Sequence, residues 1–332
     1  MFIIAEIAQA HDGSLGILHS YIDALAKAGV DAIKFQTHIA EAESSEHEPF
    51  RVNFSYEDKT RYDYWERMGF TFAQWKEIKE HCDEAGVEFI SSPFSNAAVD
   101  LLEKVGVKRY KIGSGEVNNL LMLEKIARTG KPIILSSGMS SFDEINESVE
   151  FLKQRGIETS ILQCTTAYPT EPKEWGLDVM DELKERFKLR TGFSDHSGDV
   201  YACLAAAARG AEILEFHAVF DKRMFGPDAS ASMDIDEISF MVKGVRQICE
   251  SLELKVDKDD NSKFDTLKGI FEKSLALNKD LLEGHILSFD DLEAKKPKGY
   301  GLDASQYESM IGKRLNKDMK KWDFLNLGDI NE

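Results

Sequence analysis

The 332-residue chain has only four cysteines, Cys82, Cys164, Cys203 and Cys249, far apart and with no Cys-x-x-Cys pair. That spacing argues against a disulfide framework and against a thiolate zinc site. Free thiols in a reducing compartment are expected instead. No apolar stretch approaches the roughly 18 residues of a membrane-spanning helix. Met1–Glu6 has no basic segment, and Glu6 interrupts its apolar run, so it reads as a strand and not as a signal peptide. A cytoplasmic protein is expected. Positive charge is scarce: 41 Lys+Arg stand against 59 Asp+Glu, a net charge of −18. Binding to nucleic-acid backbones or to anionic membranes draws on a basic surface, so neither partner is expected. No Gly-x-Gly-x-x-Gly follows the first strand, which weakens a dinucleotide-binding reading.

What is present is regular alternation. Short apolar or β-branched runs read as strands at Phe2–Ile7, Ala32–Gln36, Glu88–Ser91, Arg109–Ile112, Ile133–Ser136, Ser160–Gln163, Arg190–Phe193 and Glu212–Phe216. Helical patterns separate them. Leu15–Ala28 places Leu15, Leu18, Ile22 and Leu25 on one face with Gly29 after it, and Phe142–Arg155 opens on the capping box Ser141-x-x-Glu144. Eight strand–helix units predict an α/β protein built on a (β/α)8 TIM barrel. A doubly wound open sheet is the competing reading. The barrel is expected over residues 1–255, a linker over 256–272, and a small, mostly β domain over 273–332. One stretch, His38–Phe70, is far too long for an ordinary connection and mixes acids with aromatics. It reads as a solvated excursion or as a wall over the site.

Barrel catalysis sits at the C-terminal ends of the strands. The polar residues there are Glu6; Lys34 and Gln36; Ser91 and Ser92; Lys111, Ser114 and Glu116; Ser136 and Ser137; Gln163, Thr165, Thr166 and Tyr168; Ser194, Asp195 and His196; Glu215 and His217. Two lysines among hydroxyls form an anion cradle. The structural alternative for each lysine is an ion pair with Glu6 or Glu116. His196 and His217 lie one repeat apart, so adjacent parallel strands bring both imidazoles to one mouth, where a borderline divalent ion is suited.

The blocks Ile4-Ala-Glu-Ile7, Ile33-Lys-Phe-Gln-Thr37, Ser91-Ser-Pro-Phe94, Tyr110-Lys-Ile-Gly-Ser-Gly-Glu116, Leu135-Ser-Ser-Gly-Met139, Gln163-Cys-Thr165 with Tyr168-Pro169, and Gly192-Phe-Ser-Asp-His196 resemble the signatures of the sialic acid synthases. The tail, with Leu281-Leu-Glu-Gly284, Lys295-Lys-Pro297 and Ile311-Gly-Lys313, is similar to that family's C-terminal antifreeze-like (SAF) domain. The resemblance covers essentially the whole chain. It implies a metal-dependent condensation of phosphoenolpyruvate (PEP) with the open-chain aldehyde of an acylated hexosamine. The product is a nine-carbon 2-keto-3-deoxy sugar acid plus phosphate. It also implies catalytic roles for Glu6, Lys34 and Lys111. Lys34, Ser92, Lys111, Ser114, Ser136 and Ser194 surround PEP. Gln36, Tyr168, Asp228 and a basic tail residue, Lys296, contact the sugar. His196 and His217 hold a divalent metal, with Mn preferred and Mg or Co as alternatives, and a domain-swapped homodimer is expected.

The chain departs from the family pattern in four places. Lys296 replaces an Arg, which removes a bidentate contact. Phe216 stands where the family has Arg, Thr166 where Asn is common, and Gln9-Ala-His11 where Gly-x-Asn-His is frequent. N-acetylmannosamine is the default acceptor, and a 6-deoxy diacetamido hexose, as in legionaminate or pseudaminate synthesis, is the close alternative. Two further readings are a Schiff-base aldolase using Lys111 and a sugar-binding paralogue without turnover.

Overall fold

The computed structural model describes residues 1–52 and 54–331, which divide into two compact units, Met1–Leu254 and Lys255–Glu332. In the first unit, eight parallel strands pair in chain order: β1 (Phe2–Glu6), β2 (Ala32–Thr37), β3 (Glu88–Pro93), β4 (Tyr110–Ile112), β5 (Ile133–Ser136), β6 (Thr159–Cys164), β7 (Arg190–Asp195) and β8 (Ile213–Ala218). Pairing of β1 with β8 closes the ring. The fold is thus a (β/α)8 barrel, and the open sheet is excluded. The closure matters for chemistry. It sets Glu6 of β1 beside both Lys34 of β2 and His217 of β8.

Alternation along the strands builds two stacked layers inside the barrel. Ile4, Ala32, Ile90, Ile134, Leu162 and Ile213 form a closed apolar floor. Two residues further along the same strands, and so on the same face, stand Glu6, Lys34, Ser92, Ser136, Cys164 and Glu215. Gly192 supplies the gap on β7. A Cβ there would come within 2.2 Å of the Ile213 carbonyl oxygen and 2.8 Å of Leu162 Cδ2. The opposite faces of the strands pack outward against the helices in the main core, which includes Ile3, Ile33, Phe35, Tyr110 and Ile112. A typical covering helix is α1 (Leu15–Ala28). It buries Leu18, Tyr21, Ile22 and Leu25, starts with the Ser14 hydroxyl accepting from the Ile17 amide, and ends at Gly29 with φ +90°.

The long segment after β2 carries structure that the sequence pattern does not announce. Two short helices, α2 (Ala40–Glu43) and α3 (Arg61–Met68), precede α4 (Phe72–Glu84). Ala40, Tyr64, Trp65 and Met68 bury against one another, with Phe50, Phe54 and Tyr62 packed beside them. The aromatics therefore build a small core of their own and are not merely solvated. A further strand, β9 (Ser232–Met233), adds to β8 and was not expected.

The second unit contains short antiparallel pairs, β10 (Ser274–Leu277) with β11 (Leu292–Lys295) and β12 (Arg314–Leu315) with β13 (Ile330–Asn331). Its core is Leu275, Leu277, Leu281, Leu287, Met310, Leu315, Met319 and Leu325. It also contains an internal repeat. Asn278-Lys-Asp-Leu281 and Ser288-Phe-Asp-Asp291 recur as Asn316-Lys-Asp-Met319 and Asn326-Leu-Gly-Asp329. The contacts repeat too. The Leu281 and Met319 backbones exchange both hydrogen bonds at 2.9 Å, Asp318 accepts from the Glu283 amide and Asp280 from the Lys321 amide, each at 2.8 Å. Lys279 pairs with Asp291 and Lys317 with Asp329.

Candidate active site

The carboxyl ends of the strands open into a cavity of about 430 Å3. Fifteen of the residues singled out from the sequence line it together: Glu6, Lys34, Gln36, Ser92, Lys111, Ser114, Glu116, Ser136, Thr166, Tyr168, Ser194, His196, Glu215, His217 and Asp228. Lys296 belongs to the second unit, where its ammonium lies over the Phe271 ring.

The floor of the cavity is a buried charge quartet. Lys34 pairs with Glu6 and lies 3.7 Å from Glu215, and Lys111 lies 3.3 Å from Glu215 and donates to Ser136 Oγ at 2.7 Å. Glu215, not Glu116, is thus the partner that both lysines share. Burial works against the charged forms of Lys34 and Glu215. It pushes the Lys34 ammonium down to about 7, with Glu215 resisting and Lys111 reinforcing the fall. For Glu215, burial acts upward, but Lys111 and Lys34 overcome it and hold the carboxylate ionised.

Two polar atoms are buried here without any partner among the described residues: Ser92 Oγ and Glu215 Oε2. An unpartnered buried group costs roughly 1–3 kcal/mol, so the Ser92 hydroxyl marks a place for a ligand acceptor and Glu215 Oε2, which only accepts, a place for a ligand or water donor. A third sign is Gly138. A Cβ on it would fall 2.4 Å from both Ser114 Oγ and Thr166 Oγ1. The strand-five turn therefore keeps side-chain bulk away from the Ser114 and Thr166 hydroxyls that line the cavity.

Across the mouth stand His196 and His217, ring centroids 5.2 Å apart. The His196 Nδ1 lies 2.9 Å from the Thr165 carbonyl oxygen, an acceptor only, so this nitrogen carries the hydrogen. The lone pair of Nε2 is left facing the Tyr168 hydroxyl at 3.2 Å. Burial opposes the charged form of His196, but the nearby Cys164 sulfur, the Thr165 carbonyl and Asp195 outweigh it and raise the imidazole above its ordinary value. His217 is pushed well down by burial, and by His196 and Lys34. The pair fits a borderline divalent cation: two imidazoles, one with its second nitrogen held by a carbonyl as metal-ligating histidines require. Among the described residues no group of three His, Cys, Asp or Glu side chains converges on such a point. A cation held by His196 and His217 would draw its remaining donors from substrate and water.

The roof comes from the segment after β2 and from the loop before β9. Arg51 lies with its guanidinium 4.0 Å over the Tyr168 ring, whose stacking partner is His196 at 4.2 Å, and it pairs with Asp228. Phe50, Val52, Phe54, Tyr64, Trp65 and Met139 supply an apolar wall. Sequence reading missed Arg51, His38 and Glu43 as site residues, because they come from an irregular segment with no period to place them. Glu215 was legible only as a companion of His217. The two-residue spacing on one strand was the available signal.

Residues 21–257 match the NeuB family. Over 325 residues the chain is 35% identical to the N,N'-diacetyllegionaminic acid synthase of Campylobacter jejuni, covering 96% of this chain and 97% of that one. It is 34% identical to the pseudaminic acid synthase of the same organism, covering 99% and 96%. The crystal structure of the N-acetylneuraminic acid synthetase of Leptospira borgpetersenii, in complex with citrate, superposes with a TM-score of 0.71 at 28% identity, covering 80% of this chain and 90% of that one. A closed barrel, a polar ring above an apolar floor and this likeness along nearly the whole sequence agree: the chain belongs to the NeuB family of sialic, legionaminic and pseudaminic acid synthases.

Proposed function

We propose that the protein condenses PEP with an unphosphorylated N-acetylated hexosamine, giving a nine-carbon 2-keto-3-deoxy sugar acid and phosphate. The observation that carries this is the cavity floor, where two buried lysines, a ring of hydroxyls and two unpartnered polar atoms meet two imidazoles. Lys34 and Lys111 hold the phosphate and carboxylate of PEP, with Ser92, Ser114, Ser136 and Ser194 completing the cradle. Carbon 3 of PEP attacks the acceptor's aldehyde carbon, and the aldehyde oxygen takes a proton. Water adds to the resulting oxocarbenium carbon, one of its protons passing through Glu6 to the departing phosphate. Phosphate leaves with the bridging oxygen, and the second water proton, released as the ketone forms, balances the one taken by the aldehyde oxygen. A divalent cation on His196 and His217, Mn preferred, supplies Lewis-acid polarisation of the aldehyde when bound.

Charge counting supports the cation. Lys34 and Lys111 are balanced by Glu6 and Glu215, so the quartet is neutral before PEP brings about two to three negative charges. The same count supports a neutral acceptor. The outer cations Arg51 and Arg61 are already paired with Asp228 and Glu48, and Glu43 and Glu116 line the same wall. A second phosphate finds no unpaired cation among these. N-acetylmannosamine is the default acceptor. A 6-deoxy diacetamido hexose is the second reading, favoured by the apolar rim of Phe50, Val52 and Phe54 and by the names of the two Campylobacter relatives. By resemblance, the active species is a homodimer in which the small domain of one protomer completes the other's site.

The deciding experiment is phosphate release from PEP with Mn and a panel of neutral and phosphorylated hexosamines. Metal-dependent release with a neutral acceptor, and retention of an oxygen label from the bridging position in the phosphate, are expected. No release with any acceptor, or a lysine adduct trapped by borohydride, sinks the reading.

A further inference from the structure

His38 sits one residue beyond β2, buried between two nearly parallel rings: Trp65 of α3 at 3.7 Å and Phe94 at 4.4 Å. The stack covers both ring faces and leaves the nitrogens for polar contact. Nδ1 lies 2.5 Å from Glu43 Oε1. Nε2 lies 3.1 Å from Gln9 Nε2 and 3.0 Å from Gln36 Oε1. Gln9 Nε2 is 2.5 Å from Gln36 Oε1, and Gln36 Nε2 donates to Glu6 Oε1 at 2.8 Å.

Donor accounting orients every member of this cluster but the His38 Nε2 nitrogen. A carboxylate only accepts, so His38 Nδ1 carries the hydrogen that goes to Glu43. Gln36 spends its NH2 on Glu6 and turns its oxygen towards Gln9. Gln9 Nε2 then donates to Gln36 Oε1, and His38 Nε2 sits against both the Gln9 NH2 and the Gln36 oxygen, accepting from the first when it is bare and donating to the second when it carries a hydrogen. Reversing the Gln36 amide would set its oxygen against the Glu6 carboxylate and its NH2 against the Gln9 NH2, two repulsions in a buried site.

We infer that His38, oriented by Glu43 and acting through Gln9 and Gln36, is a positioning residue that fixes the Glu6 carboxylate for proton transfer. This rests on the condensation reading above. It also assigns a role to the Trp65 stack, which ties the orientation of Glu6 to the segment roofing the cavity.

The test uses the full chain with Mn, PEP and the acceptor that supports wild-type turnover. His38→Phe keeps the stack and removes both nitrogens, and Gln9→Leu cuts the same chain while leaving the stack intact. Both should lower kcat by about 10–100-fold, as loss of groups that orient a reacting residue does, with KM for PEP within about twofold. Glu43→Gln retains an acceptor for Nδ1–H and should restore most of the turnover that Glu43→Leu loses. Folded His38→Phe or Gln9→Leu protein with wild-type kcat overturns the inference, as does a loss confined to KM for the acceptor. If His38→Phe fails to fold, Gln9→Leu decides. An inactive wild type overturns the condensation reading and this inference with it; an active wild type with unaffected variants overturns this inference alone.

Discussion

At the residue scale, burial makes single protonation states consequential. With its ammonium held down to about 7 by burial and by Lys111, Lys34 is charged below that pH and loses charge above it. PEP binding favours the charged form. Proton uptake on PEP binding is therefore expected above pH 7 and little below it. Calorimetry in buffers of different ionisation heat reads this, and Lys34→Arg should flatten the dependence. His11 behaves differently. It is buried against Phe70, accepts from the Gly13 amide at 3.0 Å, and burial, then His38 and Arg67, lower it to about 3. Its folded value lies below the unfolded value near 6.5, so the unfolded chain binds the extra proton between the two. Its contribution is complete above pH 6.5 and is lost as pH falls towards 3, by up to about 1.4 kcal/mol per unit. His11→Gln should flatten the fall of the melting temperature over that window. The hydroxyl ring around Gly138 gives a third expectation. Gly138→Ala should raise KM for PEP by tenfold or more with little change in melting temperature, since the added methyl meets Ser114 and Thr166 in the cavity.

At the element scale, the strands were legible because their alternation repeats eight times, and each repeat confirms the phase of the last. The same phase made the site legible. Glu6, Lys34, Ser92, Ser136, Cys164 and Glu215 are readable as one ring because each stands two residues beyond an apolar floor residue. The segment after β2 offered no such repetition. Helix α2 has only four residues, and α3 is held by the packing of Tyr64, Trp65 and Met68 against Phe50 and Phe54. That stabilisation is tertiary and leaves no period in the sequence. Strand β9 is two residues long and invisible to pattern for the same reason. Of the two expected lysine partners, Glu6 pairs with Lys34, whereas Glu116, which follows Lys111 closely in sequence, gives way to Glu215, which reaches Lys111 only through the curvature that closes the barrel. Arg51, latched to Asp228 and Tyr168, gives this element its own test. Arg51→Ala should raise KM for the acceptor and leave KM for PEP within about twofold, because it removes a roof contact and leaves the floor intact.

At the scale of the whole molecule, a net charge of −18 coexists with a cavity suited to anions, since local fields inside a cleft outweigh the distant total. With the quartet neutral, metal and PEP should bind with mutual reinforcement. Titration of the chelator-stripped protein should show Mn tightening PEP by at least tenfold, and PEP tightening Mn by the same factor. Equal PEP affinity with and without metal would remove the electrostatic reason for placing a cation on His196 and His217.

The repeat in the second unit has a consequence of another kind. When Leu281 and Met319 exchange both backbone bonds and Asp280 and Asp318 each serve the other's half, residue i meets j while j meets i. That is the logic of an isologous interface between two subunits. This small domain is in effect a symmetric pair written on one strand of covalent chain. Its two halves have no independent melting to show, and the amides of Leu281 and Met319 should open to hydrogen exchange at one common rate.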